Sequence, residues 1–251
     1  MLAKNRVVFK MSVEYRPRAL ITGASSGIGK ATALRFASSG IDVALIGRSI
    51  EKLAPVCEAA INAGVKANAY TTDLSDITQV KNQIQGVVSD FGGVDILVNN
   101  AGMGYTGLLS ETSLPDWQKV LDLNLTSVFQ CILGVLPAMR SVHRGTIINI
   151  ASIAGKQAFA NWGVYCVSKA GLISLTQTFA QEERANGIRV TAICPGAVNT
   201  ELWDTETVNA DFDRSKMLTP EMVADSILYT ALLPQAAVID ELTLMSSAGV
   251  L

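Results

Sequence analysis

The sequence predicts a single-domain α/β protein on a doubly wound parallel sheet of about seven strands, and three observations predict it. From Arg18 onward, short β-branched apolar runs alternate with longer helical stretches. Those runs are apolar throughout rather than at every second position, which marks strands buried on both faces under helical crossovers. No linker, repeat or low-complexity segment divides the 251 residues, so one domain, residues 18–251, carries everything.

The elements follow in order. Ala19, Leu20 and Ile21 make the first strand, followed by a helix through residues 29–36. Residues 42–46 are the second strand, with a helix near 51–63; residues 67–71 are the third, with a helix over 77–91; residues 95–98 are the fourth. One long helix then spans 115–139, with Pro137 near its C-terminal end, where a helix breaker is tolerated. Residues 146–150 give the fifth strand, 164–184 a helix and 188–193 the sixth strand. Thr219 caps a last helix with Pro220 at its first position, ending near Leu233, and residues 241–245 close the series.

Composition narrows the function classes. Hydrophobic residues at 49% and charged ones at 17% suffice for a large core, and a net charge of −2 offers no footprint for nucleic acid. No apolar run approaches the roughly 18 residues needed to cross a bilayer, so the chain reads as soluble, without a membrane partner, and cytoplasmic. Cys57, Cys131, Cys166 and Cys194 form no Cys-x-x-Cys pair and read as free thiols in a reducing compartment. The single histidine, His143, lies in a polar stretch, which excludes a multi-histidine zinc site; no metal is expected. The basic leader, residues 1–17, reads as a flexible extension rather than a targeting segment.

Thr22-Gly23-Ala24-Ser25-Ser26-Gly27-Ile28-Gly29 follows the first strand and opens the first helix. Glycines there permit a tight turn and let main chain approach a pyrophosphate, which helix N-terminal amides then meet. An acid near the end of the second strand would hold the two ribose hydroxyls of NAD, but Ile46-Gly47-Arg48-Ser49 has none. Arg48 suits a 2′-phosphate instead, so NADP(H) is expected over NAD(H), the alternative being an exposed loop charge.

Tyr165 and Lys169 stand four residues apart, on one face of a helix. A nearby cation favours the phenolate, which predicts a lowered tyrosine pKa and an acid–base role. With Asp73-Leu74, Asn99-Asn100-Ala101-Gly102, Asn124, Ser152 and Pro195-Gly196, these motifs make the chain resemble the short-chain dehydrogenase/reductase family, compact oxidoreductase type, from Arg18 to about Thr200.

The resemblance implies a Rossmann fold and carbonyl reduction, or its reverse, by hydride transfer. Tyr165 would be acid or base, Ser152 the donor to the substrate oxygen, and Lys169 the residue that binds the nicotinamide ribose and lowers the pKa of Tyr165. Asn124 would hold a proton-relay water; as a lone residue it reads equally as a helix-kink or packing asparagine. The cofactor would meet Gly23, Ser25, Ser26, Gly27, Ile28, Gly29, Arg48, Asp73, Leu74, Asn100, Ala101, Gly102, Tyr165, Lys169, Pro195, Gly196, Val198 and Thr200. Asp73 could instead cap the next helix. A homotetramer or homodimer through the helices holding Asn124 and Tyr165 is implied as well.

Substrate choice is expected in residues 103–108, 153–162 and 198–217, the last a mobile lid. Met103, Phe159, Trp162 and Trp203 suggest an apolar pocket. The C-terminal tail lacks the glycine-rich ending of 3-oxoacyl-carrier-protein reductases, and no basic cluster suits an acidic carrier, so that activity stands second to a general ketone or aldehyde reductase. A non-catalytic dinucleotide-binding sensor or scaffold stands third.

Overall fold

A computed structural model describes residues 15–249. Seven strands, β1 (Arg18–Thr22), β2 (Asp42–Gly47), β3 (Ala67–Thr71), β4 (Ile96–Asn99), β5 (Gly145–Ile150), β6 (Ile188–Pro195) and β7 (Glu241–Leu244), form one sheet in the order β3-β2-β1-β4-β5-β6-β7. Every pairing is parallel. Successive side chains point to opposite faces. Leu20, Ala44, Ile46, Leu97 and Ile147 enter one core with Val80, Ile84, Ile132 and Leu172 of α3 (Val80–Phe91), α5 (Ser127–Ser141) and α6 (Gly163–Glu182). Ala19, Ile21, Val43, Leu45 and Val98 enter the other with Phe36, Leu53 and Ile227 of α1 (Gly27–Ser38), α2 (Ile50–Asn62) and α7 (Pro220–Ala231). Strand order reverses between β1 and β4, and a crevice opens there beyond the strands' C-terminal ends.

Two helices depart from expectation. The stretch expected as one helix over 115–139 is α4 (Leu114–Leu121), a π turn (Asp122–Thr126) and α5. The third helix starts at Val80 rather than 77, because aspartate side chains turn the preceding chain: Asp73 accepts from the Ser75 amide at 3.0 Å and the Thr78 hydroxyl donates to Asp76 at 2.7 Å. Leu114–Ser141 also corrects the hydropathy reading. It passes the length and composition test for a membrane span, at mean hydropathy 1.5, and half of that window is buried in the fold, as in a core helix.

At the opposite end of the strands, where β1, β4 and β5 begin, lies a charge cluster. Asp95 accepts from the Arg18 amide at 2.9 Å, pairs with Arg18 and Arg144 at 3.3 Å each, and accepts from the Tyr15 hydroxyl. The fold therefore grips the chain from Tyr15; the first fourteen residues of the expected extension lie outside the described ones. His143 is exposed just before β5 at this same end of the strands, away from the crevice.

Candidate active site

The crevice is a cavity of about 1170 Å³ running from Arg48 to Phe212. Its wall includes every expected cofactor residue except Gly29, together with Ser152, Tyr165 and Lys169. Gly29 serves packing instead: a Cβ there would lie 2.2 Å from the Gly23 carbonyl oxygen and 2.5 Å from Asn100 Nδ2. Gly23 and Gly27 turn the chain with φ of +65° and +51°, a region that favours glycine.

Main-chain bonds brace this end. The buried Thr22 hydroxyl accepts from the amides of Asn100 and Ala101 at 3.0 Å each, and Asn100 Nδ2 donates to the Thr22 and Gly23 carbonyls at 3.1 and 3.2 Å. Asn99 turns the other way, its Nδ2 donating to Asn149, which donates on to Thr176 of α6, each at 2.9 Å. Asn99 stands in a motif the sequence shows, whereas Thr22 as an acceptor and the partners Asn149 and Thr176 carry no such signal.

Arg48 is exposed at the end of β2, and Ser49 and Lys52 line the cavity beside it. Ser49 caps α2 by accepting from the Lys52 amide at 3.3 Å. The Ser-x-x-Lys spacing was a readable signal for Lys52, which the sequence reading passed over. Asp73 caps its own turn with Ser75 rather than α3; that hydrogen bonding, and less so Arg48, holds its carboxyl below the usual range. The residues fit a phosphorylated dinucleotide: a glycine cradle no Cβ can enter, helix-terminal amides and a cation at the ribose end.

At the reacting end, α6 presents Tyr165 and Lys169 to the cavity, and Ser152 leaves β5 facing them. Burial pushes the Tyr165 phenol up to about 12, with the Ser152 hydroxyl working in the opposite direction. This corrects the expected lowering by Lys169. The Lys169 ammonium sits 5.7 Å from the Tyr165 ring centre and donates to the Ile150 carbonyl at 2.8 Å. Burial brings Lys169 down to about 8, so the pair holds a neutral phenol beside a weakened cation.

Asn124 lies on the π turn, fully buried. Its Oδ1 accepts from the Met103 amide at 2.8 Å, and its Nδ2 donates to the Met103 carbonyl at 2.9 Å and to Ser168 at 3.1 Å. The carboxamide is thus occupied and does not bond Lys169; it fixes the Met103 loop to α6. Gly102 keeps the gap clear, since a Cβ there would stand 3.1 Å from Asn124 Oδ1 and 3.7 Å from Lys169 Nζ.

The roof over Tyr165 is made by three loops. Trp162 meets Tyr165 edge-on at 5.5 Å, Trp203 meets Trp162 at 5.7 Å, and Phe212 meets Trp203 at 5.3 Å. Trp203 Nε1 donates to the Val198 carbonyl at 2.7 Å. Segment 198–217 is closed at its base by the Val198–Leu218 bridge and tied at its tip, where the Thr106 amide donates to Thr207 at 2.9 Å and the Thr207 hydroxyl to Gly104 at 2.8 Å. Phe212 and Met245 also line the cavity and were not foreseen. Cys166 is buried, and burial pushes the Cys131 and Cys194 thiols to about 12 and 11, which disfavours thiolate chemistry.

A dinucleotide cradle leading to a paired tyrosine and lysine defines a nucleotide-dependent oxidoreductase. Comparison gives the family: residues 17–211 match the short chain dehydrogenase family, and the chain belongs to the short-chain dehydrogenases/reductases, which act between CH–OH and C=O. It is 38% identical over 238 residues to the 3-oxoacyl-[acyl-carrier-protein] reductase of Synechocystis sp., covering 92% of this chain and 95% of that one. It is 36% identical to the corresponding reductase of Thermotoga maritima, covering 84% of this chain and 89% of the other. Among solved structures it resembles an actinorhodin polyketide ketoreductase with NADPH, at 33% identity and TM-score 0.82, covering 93% and 97%. A metagenomic short-chain oxidoreductase with NADP matches at 32% identity and TM-score 0.80, covering 92% and 97%.

Proposed function

We propose that this chain reduces an apolar ketone or aldehyde to the alcohol, or runs the reverse, with NADP(H) preferred over NAD(H). One observation carries the reading: a single cavity joins the glycine turn and Arg48 to Ser152, Tyr165 and Lys169. The bound nicotinamide would supply or accept the hydride. Gly23 to Ile28 would seat the pyrophosphate, Arg48 the 2′-phosphate, Asp73 and Leu74 the adenine side, and Pro195 to Thr200 the nicotinamide side.

Tyr165, neutral up to a pKa of about 12, donates its proton to the developing alkoxide. Ser152 donates a hydrogen bond to the same oxygen, an interaction stronger in the transition state than in the ground state. Lys169 holds positive charge behind the phenol, and Asn124 keeps the Met103 loop and α6 in register around that ammonium. Leu114, Phe129 and Val167, exposed on α4, α5 and α6, support self-association through those helices. A cytoplasmic setting accords with the four free cysteines.

A second reading, reduction of a 3-oxoacyl group on its carrier protein, is favoured by the names of the relatives reported above. A carbonyl panel followed by loss of reduced-nicotinamide absorbance tests the main one. Tyr165→Phe should lower kcat by about a thousandfold with NADPH still bound; undiminished turnover would refute the acid–base role. Arg48→Ala should weaken NADPH about tenfold or more and NADH little; equal weakening would remove the 2′-phosphate argument.

A further inference from the structure

We infer that the substrate end of this cavity selects flat aryl carbonyl compounds that are neutral or positively charged and rejects anionic ones, an acyl group on an acidic carrier included. The inference rests on the carbonyl-reduction reading and specifies its substrate class. Its first support is the row of rings. Trp162, Trp203 and Phe212 extend edge-to-face from Tyr165 at 5.3–5.7 Å, and all three line the cavity. A planar ring bound beside them gains the edge and face contacts that a saturated chain cannot make.

The second support is charge. Segment 198–217, which roofs this end, holds five acids, Glu201, Asp204, Glu206, Asp211 and Asp213, against Arg214 and Lys216, a net of three negative charges. Both cations are already engaged, Arg214 with Asp204 at 3.1 Å and Lys216 with Asp213 at 3.3 Å. Glu206 and Asp211 are exposed and make no ion pair among the described residues, while Glu201 reaches back toward the glycine turn, its Oε2 3.5 Å from where a Cβ on Gly27 would lie. The neighbouring loops do not compensate: residues 103–108 carry no charge, and Lys156 is turned to Glu241 at 2.5 Å. Of the cations on the wall, Arg48 and Lys52 lie at the far end, past β2, Lys119 stands on α4, and Lys169 donates to the Ile150 carbonyl. Arg48 and Lys52 thus mark the phosphate end, while the segment over the substrate end is net negative, and an approaching substrate meets that asymmetry.

The test is a charge series of one shape: acetophenone, 4-acetylbenzoate and 4-acetyl-N,N,N-trimethylanilinium. Turnover is followed with NADPH, and binding to the full chain by tryptophan fluorescence. At low salt the anion should bind and react about tenfold less well than acetophenone, the cation at least as well as acetophenone, and the spread should shrink in high salt. The double variant Glu206→Gln, Asp211→Asn should close most of the anion's deficit. Acetophenone should exceed cyclohexyl methyl ketone about threefold or more. An anion handled as well as acetophenone, a spread indifferent to salt and to the double variant, or parity with the cyclohexyl ketone would each overturn the inference. If the charge order holds in binding while NADPH is consumed with none of the probes, the inference stands and the carbonyl-reduction reading fails. Turnover of all three without a charge order has the opposite consequence.

Discussion

At the cofactor end of the cavity the wall is largely main chain: Gly23 and Gly27 in left-handed conformations, and the Thr22 hydroxyl taking the amides of Asn100 and Ala101. At the substrate end it is side chains from two loops, Trp162 from one and Trp203 and Phe212 from the other, held by ring contacts and by bonds between loop tips such as Thr106 to Thr207. A wall of main chain tolerates no added atom, whereas a wall of side chains can be recut without loss of the fold. The two ends should therefore fail differently when mutated.

The sharpest break is Gly29→Ala. Its Cβ would meet the Gly23 carbonyl at 2.2 Å, a main-chain atom that cannot swing away. Overpacking of that kind costs about 1–3 kcal/mol, and here the displaced atoms form the pyrophosphate seat. NADPH affinity should fall about a hundredfold, read by titration alongside a lowered denaturant midpoint; binding within threefold of wild type would refute the rigid-cradle argument.

Lys169→Met separates chemistry from stability where the ends meet. Activity should fall about a hundredfold. Yet Lys169 is a buried cation whose pKa drops from 10.5 to about 8, so its charge destabilises the fold below pH 8, and the penalty is relieved as pH climbs towards 10.5, where the unfolded chain keeps the proton. At pH 7 the methionine variant should be more stable by about 2 kcal/mol, after allowance for the lost bond to Ile150. In the wild type, kcat/KM for reduction should fall about tenfold per pH unit above pH 8, because Tyr165 keeps its proton to about 12 and the limb belongs to Lys169. A flat profile from pH 7 to 10 would mean that the ammonium is not required.

What could be read from the chain follows the same division. The strands, the glycine turn and Asn100 to Gly102 were legible because their chemistry lies within a few consecutive residues. The π turn at Asn124 was legible only as one of the open readings, a kink asparagine, since the helical pattern is unbroken and the bonds that hold the turn run to Met103, 21 residues away, and Ser168, 44 away. The Tyr165 pKa direction was misread for a related reason: the nearest charge is visible in sequence, but the burial that outweighs it is a property of the packed sheet and helices. Phe212 carried no local signal, because only the folding back of segment 198–217 sets it against Trp203.

Trp203→Ala gives the smallest effect and the most selective one. The indole makes ring contacts with Trp162 and Phe212 and one hydrogen bond to the Val198 carbonyl, all within the roof. Removing it opens the apolar wall while the Gly23–Asn100 bracing stays in place. Loss of two aromatic contacts, each worth about 0.5–1.5 kcal/mol, should raise the KM for an aryl ketone about tenfold. Because Val198 also borders the expected nicotinamide side, kcat is the discriminating number. If it stays within about threefold while NADPH affinity holds, Trp203 shapes the substrate end alone. A parallel loss of NADPH affinity would instead mean that the roof and the cradle move as one body, and the contrast between the two ends would have to be abandoned.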